Sequence, residues 1–300
     1  MLPRKSRLKI GFPSTQSNTI LSPNKLAQSR LAPQWGDLLV SRVKSSYAKT
    51  GIPFYGTMPN QKNERYRIRP LVLLTLMVAA LLALPFDVTL ARFFMSDPFP
   101  GELRSLIHKV EFFGHGYGIL GIAFTIYLLC EPKRKHLYRL LSTALLAGVM
   151  CDAIKLLFHR VRPVDFSFAN GESTFLGLSF LHGESWSDVF NSAYHSFPSA
   201  HTATSVAFAI ALGAIFPKAA KWFLTLAVTV AVSRFDGGAH YVSDTCIGGL
   251  IGYVAACWML GNTPASRWFT AFESQQTAPI AYQQRQAKLR KSRDLESISH

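Results

Sequence analysis

Acidic residues are scarce in this 300-residue chain, in which 17 Asp and Glu stand against 32 Lys and Arg and give a formal net charge of +15. The imbalance is strongest at the amino terminus, where no acidic residue precedes Asp37. A charge of this sign is typical of nucleic-acid-binding proteins and of membrane proteins with basic flanks. Because no nucleic-acid-binding module is recognisable and the 49% hydrophobic residues are bunched into runs, we interpret the chain as a membrane protein without a nucleic-acid partner.

Cysteine is rarer still. The chain has four cysteines, all in or at the edge of apolar runs and none in a Cys-x-x-Cys pair: Cys130, Cys151, Cys246 and Cys257. This spacing excludes the usual patterns of a disulfide framework and of a thiolate metal site. We therefore expect buried free thiols.

The two ends of the chain lack long apolar runs. Residues 1–68 are basic and rich in Ser, Pro and Asn, and they have no apolar core of the kind found in secretory signals. We predict a mostly disordered cytoplasmic tail that contacts anionic lipid head groups, with an organellar transit peptide as the alternative. Residues 261–300 are predicted to form a second basic cytoplasmic tail.

Residues 69–260 contain six apolar runs that approach the roughly 20 residues needed to span a bilayer as a helix. The predicted spans cover about Pro70–Phe86, Phe113–Cys130, Leu137–Phe158, the 197–202 motif to Phe216, the 217–221 turn to Val232, and Ala239–Leu260. The mixed segment over 92–111 is expected to lie along the membrane surface. The predicted fold is an all-α integral membrane bundle of six transmembrane helices.

Basic residues predict the orientation of this bundle. With both termini in the cytoplasm, the inner connections are the basic segments 131–136 and 217–221, whereas the long outer segment Val164–Phe197 has no Lys or Arg. This is the pattern that the positive-inside rule requires. The same orientation places Lys155–Pro163, the start of the fourth span and the 233–238 turn together at the outer face.

Cationic residues in these outer segments suit an anion. Lys155 and Arg162 are seven residues apart, about two helical turns, so their spacing predicts a shared helical face. Arg234 lies in the predicted turn after the fifth span, and Ser199 is a typical N-cap for the fourth. Because a helix N-terminus also attracts negative charge, we predict a cage for a tetrahedral dianion such as phosphate.

Two histidines complete the predicted chemistry. His240 and Asp244 are four residues apart and are expected to share a face, where the carboxylate would orient a nucleophilic imidazole. His201 would be the general acid that protonates the leaving oxygen. The two histidines and Asp244 could also bind a metal ion, but the three cationic side chains predicted in the site would repel it. We therefore expect neither a metal nor another cofactor.

These residues form three motifs: Lys155-x6-Arg162-Pro163, Pro198-Ser199-Ala200-His201, and Ser233-Arg234-x5-His240-x3-Asp244. Their order and spacing, with the six-span layout over about residues 70–260, resemble the membrane lipid phosphatase branch of the type-2 phosphatidic acid phosphatase and vanadium haloperoxidase superfamily. The resemblance implies that His240 forms a phosphohistidine, with Asp244 as its partner and His201 as the acid and base. It also implies a phosphate cradle without metal, made by Lys155, Arg162, Ser199, Arg234 and the backbone at Ala200.

The chain departs from the family pattern at Ala200, where glycine is usual. The added methyl group narrows the space beside the phosphate. Because alanine accepts helical angles readily, we expect function to survive.

The resemblance implies a hydrolase for a lipid phosphate monoester or diphosphate at the outer (periplasmic or luminal) membrane face. Phosphatidate, phosphatidylglycerol phosphate, polyprenyl diphosphate and phosphorylated lipid A are candidate substrates, and the sequence does not choose among them. A lipid phosphotransferase with the same site is the first alternative, and a non-enzymatic lipid-phosphate binder or transporter is the second. The sequence does not specify an oligomeric state.

The outer segment over 164–197 is long for a connection and rich in aromatic residues. We hypothesise that it forms a lid or lipid-facing wall that selects the substrate, and the alternative is that it packs over the spans. Its apolar residues include Phe166, Phe168, Phe175, Leu176, Leu178, Phe180, Leu181, Trp186 and Phe190.

Overall fold

Helices provide nearly all of the regular structure in the computed structural model, which describes residues 65–168, 173–178 and 191–276. They are α1 (Pro70–Ala83), α2 (Asp87–Met95), α3 (Gly101–Val110), α4 (Gly116–Leu129), α5 (Leu137–Lys155), α6 (Ala200–Ile215), α7 (Ala220–Asp236), α8 (Val242–Leu260) and α9, over 264–276. Strands β1 (Phe158–Arg160) and β2 (Phe175–Leu178) pair antiparallel. The fold is predominantly helical, as predicted, and the strand pair was not anticipated.

Each of the six predicted spans contains a helix, but fewer are long enough to cross a bilayer. Within the described ranges, three helical stretches meet the length and hydropathy of a span: Pro70–Met95, Glu131–Lys155 and Val242–Leu260. A fourth appears if Gly101–Gly114 and Gly116–Leu129, which meet at a 72° bend, form one span. Helix α6 is apolar but has only 16 residues.

Large apolar side chains on α1 and α4 point away from the rest of the fold. They include Leu71, Leu74, Leu82, Phe124, Leu128 and Leu129, all more than half exposed. Such a continuous apolar surface is unfavourable in water and suits the acyl chains of lipids. The chain is therefore an integral membrane protein.

Helix α6 is the centre of the bundle and packs against α5, α7 and α8. Ten of its sixteen residues are buried, and many of them are small. A Cβ atom at Gly248 of α8 would lie 2.4 Å from the carbonyl oxygen of Ser199, and one at Gly252 would lie 2.4 Å from that of Ala203. The two glycines therefore allow the backbones of α6 and α8 to approach closely.

Three helix ends differ from the prediction, each for a local reason. Helix α5 ends at Lys155 rather than Phe158, because residues 158–160 pair with β2. Helix α7 continues beyond Val232 to Asp236, whose buried carboxylate accepts a hydrogen bond from Arg104 of α3. Helix α8 begins at Val242 rather than Ala239, because the positive φ of Gly238 (66°) interrupts the chain.

The carboxyl-terminal helix α9 docks on the start of α5. Glu273 lies 2.9 Å from Arg139 Nε and 3.0 Å from His136 Nδ1. Arg139 also donates a hydrogen bond of 2.8 Å to Thr270. The amino-terminal tail was predicted to be disordered over 1–68, and residues 1–64 of it lie outside the described residues. The basic cluster of the carboxyl-terminal tail, beyond 276, also lies outside them.

The glycine contact between α6 and α8 leads to a stability prediction. Gly252→Ala should lower the free energy of unfolding by about 1–3 kcal/mol, because its methyl group overpacks the helix pair. Thermal unfolding in detergent measures this loss of stability. Gly249→Ala is the matched control, since a Cβ atom there meets nothing within 4 Å. Equal melting temperatures for the two variants would contradict the close-packing argument.

Candidate active site

The imidazole of His240 is held in one tautomer inside the protein. Its ring is buried, and Nδ1 lies 2.5 Å from the carbonyl oxygen of Ser196. Because a carbonyl oxygen only accepts hydrogen bonds, Nδ1 carries the proton and Nε2 keeps its lone pair. Burial lowers the pKa of His240 well below its ordinary value, and the charge of Arg234 acts in the same direction. The structure thus holds a neutral imidazole with a nucleophilic nitrogen.

Asp244 supports His240 indirectly. The predicted shared helical face is not observed, because His240 precedes α8, and its Nδ1 atom is 4.0 Å from Asp244 Oδ2. Asp244 instead accepts hydrogen bonds from Ser196 Oγ at 2.7 Å and from the Tyr241 N–H at 2.9 Å. Ser196 thus connects the two, since its hydroxyl donates to Asp244 and its carbonyl accepts from His240.

Arg160 is a buried residue that the sequence analysis did not single out. Its guanidinium donates a 2.7 Å hydrogen bond to Asp87 and also pairs with Asp244. It stacks on the ring of Tyr241 at 4.0 Å and on that of Phe175 at 4.4 Å. Asp87 is 73 residues away in the chain, so no local pattern indicated this ion-pair cluster.

The aromatic outer segment is partly described. Phe175 in β2 covers Arg160 and also contacts the ring of Phe197, with 5.7 Å between the ring centroids. This strand therefore packs against β1 and against the segment that precedes α6. The hypothesis of a lid also involved Phe180, Leu181, Trp186 and Phe190, which lie outside the described residues.

Lys155 and Arg162 line one cleft of about 320 Å³, together with Asp152, Leu156 and His195. They do not share a helical face, because α5 ends at Lys155 and Arg162 follows β1. Backbone hydrogen bonds hold the cleft together, from Arg162 N to Ala193 O (2.9 Å) and from Ser196 N to Arg160 O (3.1 Å).

Two guanidinium groups retain unused donors. The Nε atoms of Arg162 and Arg234 are buried and have no hydrogen-bond partner among the described residues. Burial lowers the pKa of Arg162. Because buried donors without partners are costly, an anion that accepts from these nitrogens would be bound favourably.

The start of α6 offers further donors. Ser199 occupies the N-cap position, as predicted, but its side chain does not cap the helix, and Oγ lies 3.0 Å from Thr202 Oγ1. Its N–H donates to the Asp244 carbonyl oxygen at 3.2 Å. The first N–H groups of α6, beginning at Ala200, therefore have neither an intrahelical partner nor the Ser199 side chain. They suit an anion.

His201 belongs to a hydrogen-bonded chain that the motifs do not include. Its Nε2 atom lies 3.1 Å from His115 Nδ1, and His115 Nε2 lies 3.0 Å from Glu111 Oε1. Arg234 Nη1 pairs with the same Glu111 oxygen. The sequence analysis named no partner for His115, because Glu111 and His115 are distant in sequence from every motif.

Glu111, His115 and His201 also lie close enough together to bind a metal ion. One donor atom each from Glu111, His115 and His201 lies within 4.8 Å of the others. Arg234 already pairs with the Glu111 oxygen and would repel a cation. The cluster therefore fits an internal hydrogen-bond chain better than a metal centre.

A family comparison covers the segment that contains all of the predicted site residues. Residues 136–268 match the PAP2 superfamily model. This segment is similar to the PAP2 superfamily. It includes Lys155, Arg162, Ser199, Ala200, His201, Arg234, His240 and Asp244, whereas Asp87, Glu111 and His115 precede the PAP2 match.

Curated relatives are similar to part of the chain. Over 109 residues, or 36% of the chain, it is 30% identical to lipid A 1-phosphatase of Rhizobium etli and 31% identical to lipid A 1-phosphatase of Rhizobium johnstonii. The matches cover 42% and 40% of those proteins, so the chain spans less than half the length of these relatives.

Two crystal structures are also similar. Aquifex aeolicus LpxE is 20% identical with a TM-score of 0.42, and the match covers 58% of this chain and 94% of that chain. The first transmembrane PAP2 type phosphatidylglycerolphosphate phosphatase from Bacillus subtilis is 18% identical with a TM-score of 0.40, and the match covers 68% and 94%.

The Arg160 cluster leads to a second stability prediction. Arg160→Met should lower the free energy of unfolding by about 3–5 kcal/mol, because Asp87 and Asp244 lose their shared buried cation. Unfolding in detergent measures the loss. Arg92→Met is the control, since this exposed arginine contacts Phe168 at the surface and should change stability by about 0.5 kcal/mol or less. A melting temperature for Arg160→Met equal to that of the control would refute the role of the cluster.

Proposed function

We propose that the chain is an integral membrane phosphatase that hydrolyses a lipid phosphate monoester or diphosphate through a phosphohistidine intermediate. The observation that carries the proposal is the tautomer of His240, because its Nδ1–H donates to Ser196 and leaves the Nε2 lone pair free to attack phosphorus. The relatives named lipid A 1-phosphatase support a phosphorylated lipid as the substrate class.

The phosphate is bound by cations and by backbone donors. Arg162 and Arg234 donate from their buried Nε atoms, and Lys155 contributes charge from the wall of the cleft. The N–H groups at Ala200 and at the following residues bind a further oxygen. These donors also stabilise the charge that builds up on the phosphoryl oxygens during transfer.

In the first step, the lone pair of His240 Nε2 attacks phosphorus and forms a nitrogen–phosphorus bond. The bond between phosphorus and the lipid oxygen breaks, and its electron pair stays on that oxygen. His201 gives the oxygen a proton, so a lipid alcohol departs from a monoester and a lipid monophosphate departs from a diphosphate.

In the second step, His201 takes a proton from water as the water oxygen attacks phosphorus. The nitrogen–phosphorus bond breaks, its electrons return to His240 Nε2, and inorganic phosphate leaves. An acceptor lipid in place of water would make the same site a phosphotransferase, so the acceptor distinguishes the two activities.

We further propose six membrane spans with both termini in the cytoplasm and the site at the outer face. Helices α1, α4, α5, α6, α7 and α8 are the spans, although α6 and α7, with 16 and 17 residues, are short. The basic connections over 131–136 and 217–221 support this orientation. The tails over 1–68 and 261–300 would then face the cytoplasm.

Phosphate release in detergent tests the function. The wild type is given phosphatidate, phosphatidylglycerol phosphate, polyprenyl diphosphate and phosphorylated lipid A, with and without an acceptor lipid. We expect release from at least one lipid and a loss of more than about 10³-fold in His240→Ala, because the nucleophile is removed. Radiolabelled phosphate on the lipid should label the protein through an acid-labile, alkali-stable bond.

His136→Gln is the control, because His136 lies at the opposite end of α5 from Lys155 and contacts Glu273. It should retain the wild-type rate. If the wild type releases phosphate from none of the lipids, with or without an acceptor, the proposed phosphatase activity is wrong and a lipid-phosphate binder is favoured. Transfer to the acceptor without release of phosphate would identify a phosphotransferase.

A further inference from the structure

Glu111 and His115 form a hydrogen-bonded chain with His201 that no motif of the sequence includes. We infer that they position His201 for proton transfer and determine which of its nitrogens exchanges the proton. The inference rests on the proposed phosphatase function. It makes Glu111 and His115 positioning residues, since they act through His201.

The backbone holds this chain in place. Glu111 begins a short 3₁₀ turn, Glu111–Gly114, and His115 follows it at the 72° bend before α4. Thr204 of α6 donates a 2.8 Å hydrogen bond to the Gly114 carbonyl oxygen. A Cβ atom at Gly114 would lie 2.9 Å from the His201 carbonyl oxygen, so the turn is pressed against α6 beside the histidine that it contacts.

The direction of the hydrogen bonds follows from their acceptors. The Glu111 carboxylate only accepts, so His115 Nε2, at 3.0 Å, carries a proton. Arg234 already supplies the positive charge that pairs with Glu111, so we assign His115 as neutral, with a lone pair on Nδ1. His201 Nε2 then donates to His115 Nδ1 at 3.1 Å. This leaves Nδ1 of His201 as the nitrogen that gives a proton to the leaving oxygen and later takes one from water.

Glu111 connects His201, the proposed general acid, to Arg234, a proposed phosphate ligand. Its Oε1 atom accepts from Arg234, a proposed phosphate ligand, and from His115, which orients His201. One carboxylate therefore fixes the relative position of an arginine and of a histidine that act on different oxygens of the same phosphate. Orientation of this kind contributes to rate through kcat.

A matched pair of variants tests the inference. His115→Asn offers an oxygen near the position of Nδ1 and can still accept from His201, whereas His115→Leu has a similar shape and cannot. On the lipid phosphate that the wild type hydrolyses, we expect His115→Leu to lower kcat by about 10- to 100-fold, part of the 10²–10⁴ typical of general acid catalysis. KM should stay unchanged, and His115→Asn should recover most of the loss.

Two further measurements separate positioning from packing. Tyr117→Phe should keep the wild-type kcat, although its ring stacks on His115 with 4.9 Å between centroids. Added to His201→Ala, His115→Leu should lower kcat no further, because it acts only through His201. Should His115→Leu fail to fold, His115→Phe keeps an aromatic ring but cannot accept from His201, and its effect on kcat should likewise vanish in the His201→Ala background.

The outcomes that oppose the inference are distinct from those that oppose the function. A wild type that releases phosphate, with equal losses in His115→Asn and His115→Leu or with losses that add to that of His201→Ala, would overturn the positioning role alone. A wild type that releases no phosphate from any lipid would overturn the proposed function and this inference with it.

Discussion

The close contact between α6 and α8 is the constraint on which the site depends. Gly248 allows the α8 backbone to reach the carbonyl of Ser199, and the Ser199 N–H donates to the carbonyl of Asp244. The start of α6, with its free N–H groups, is thereby fixed against Asp244. Asp244 accepts a hydrogen bond from Ser196, and the Ser196 carbonyl accepts one from His240. A larger residue at position 248 would separate the start of α6, the proposed anion-binding end, from His240, the proposed nucleophile.

The charges of the site divide into two groups with different tasks. Arg160 pairs with Asp87 and Asp244 through its two terminal nitrogens, so these nitrogens stabilise the fold and are not free to bind a substrate. Arg162, two residues later, retains a buried Nε without a partner among the described residues. Arg160 thus serves as an anchor and Arg162 as a candidate ligand, because carboxylates accept the hydrogen bonds of Arg160, whereas Nε of Arg162 has no partner among the described residues.

The helices could be predicted from the sequence, because apolar runs indicate them. The candidate nucleophile, acid and cations could also be predicted, because all of them lie in the three motifs. The face-sharing argument for Lys155 and Arg162 was wrong, since β1 interrupts the helix and only the fold returns both side chains to one cleft. Asp87 was missed because Arg160 is 73 residues away. Glu111 and His115 are only four residues apart, but Arg234 and His201, which connect them to the motifs, are remote in sequence. Long-range pairs of this kind leave no periodic signal.

The buried Arg160 cluster has a consequence for biosynthesis. Asp87 emerges first from the ribosome, its cation follows 73 residues later, and Asp244 arrives another 84 residues after that. Until Asp244 is made, Asp87 and Arg160 lack one of the carboxylates of the buried ion-pair cluster. The cluster therefore closes only when α8 joins the other helices, so chains that end before Asp244 do not contain the complete candidate site.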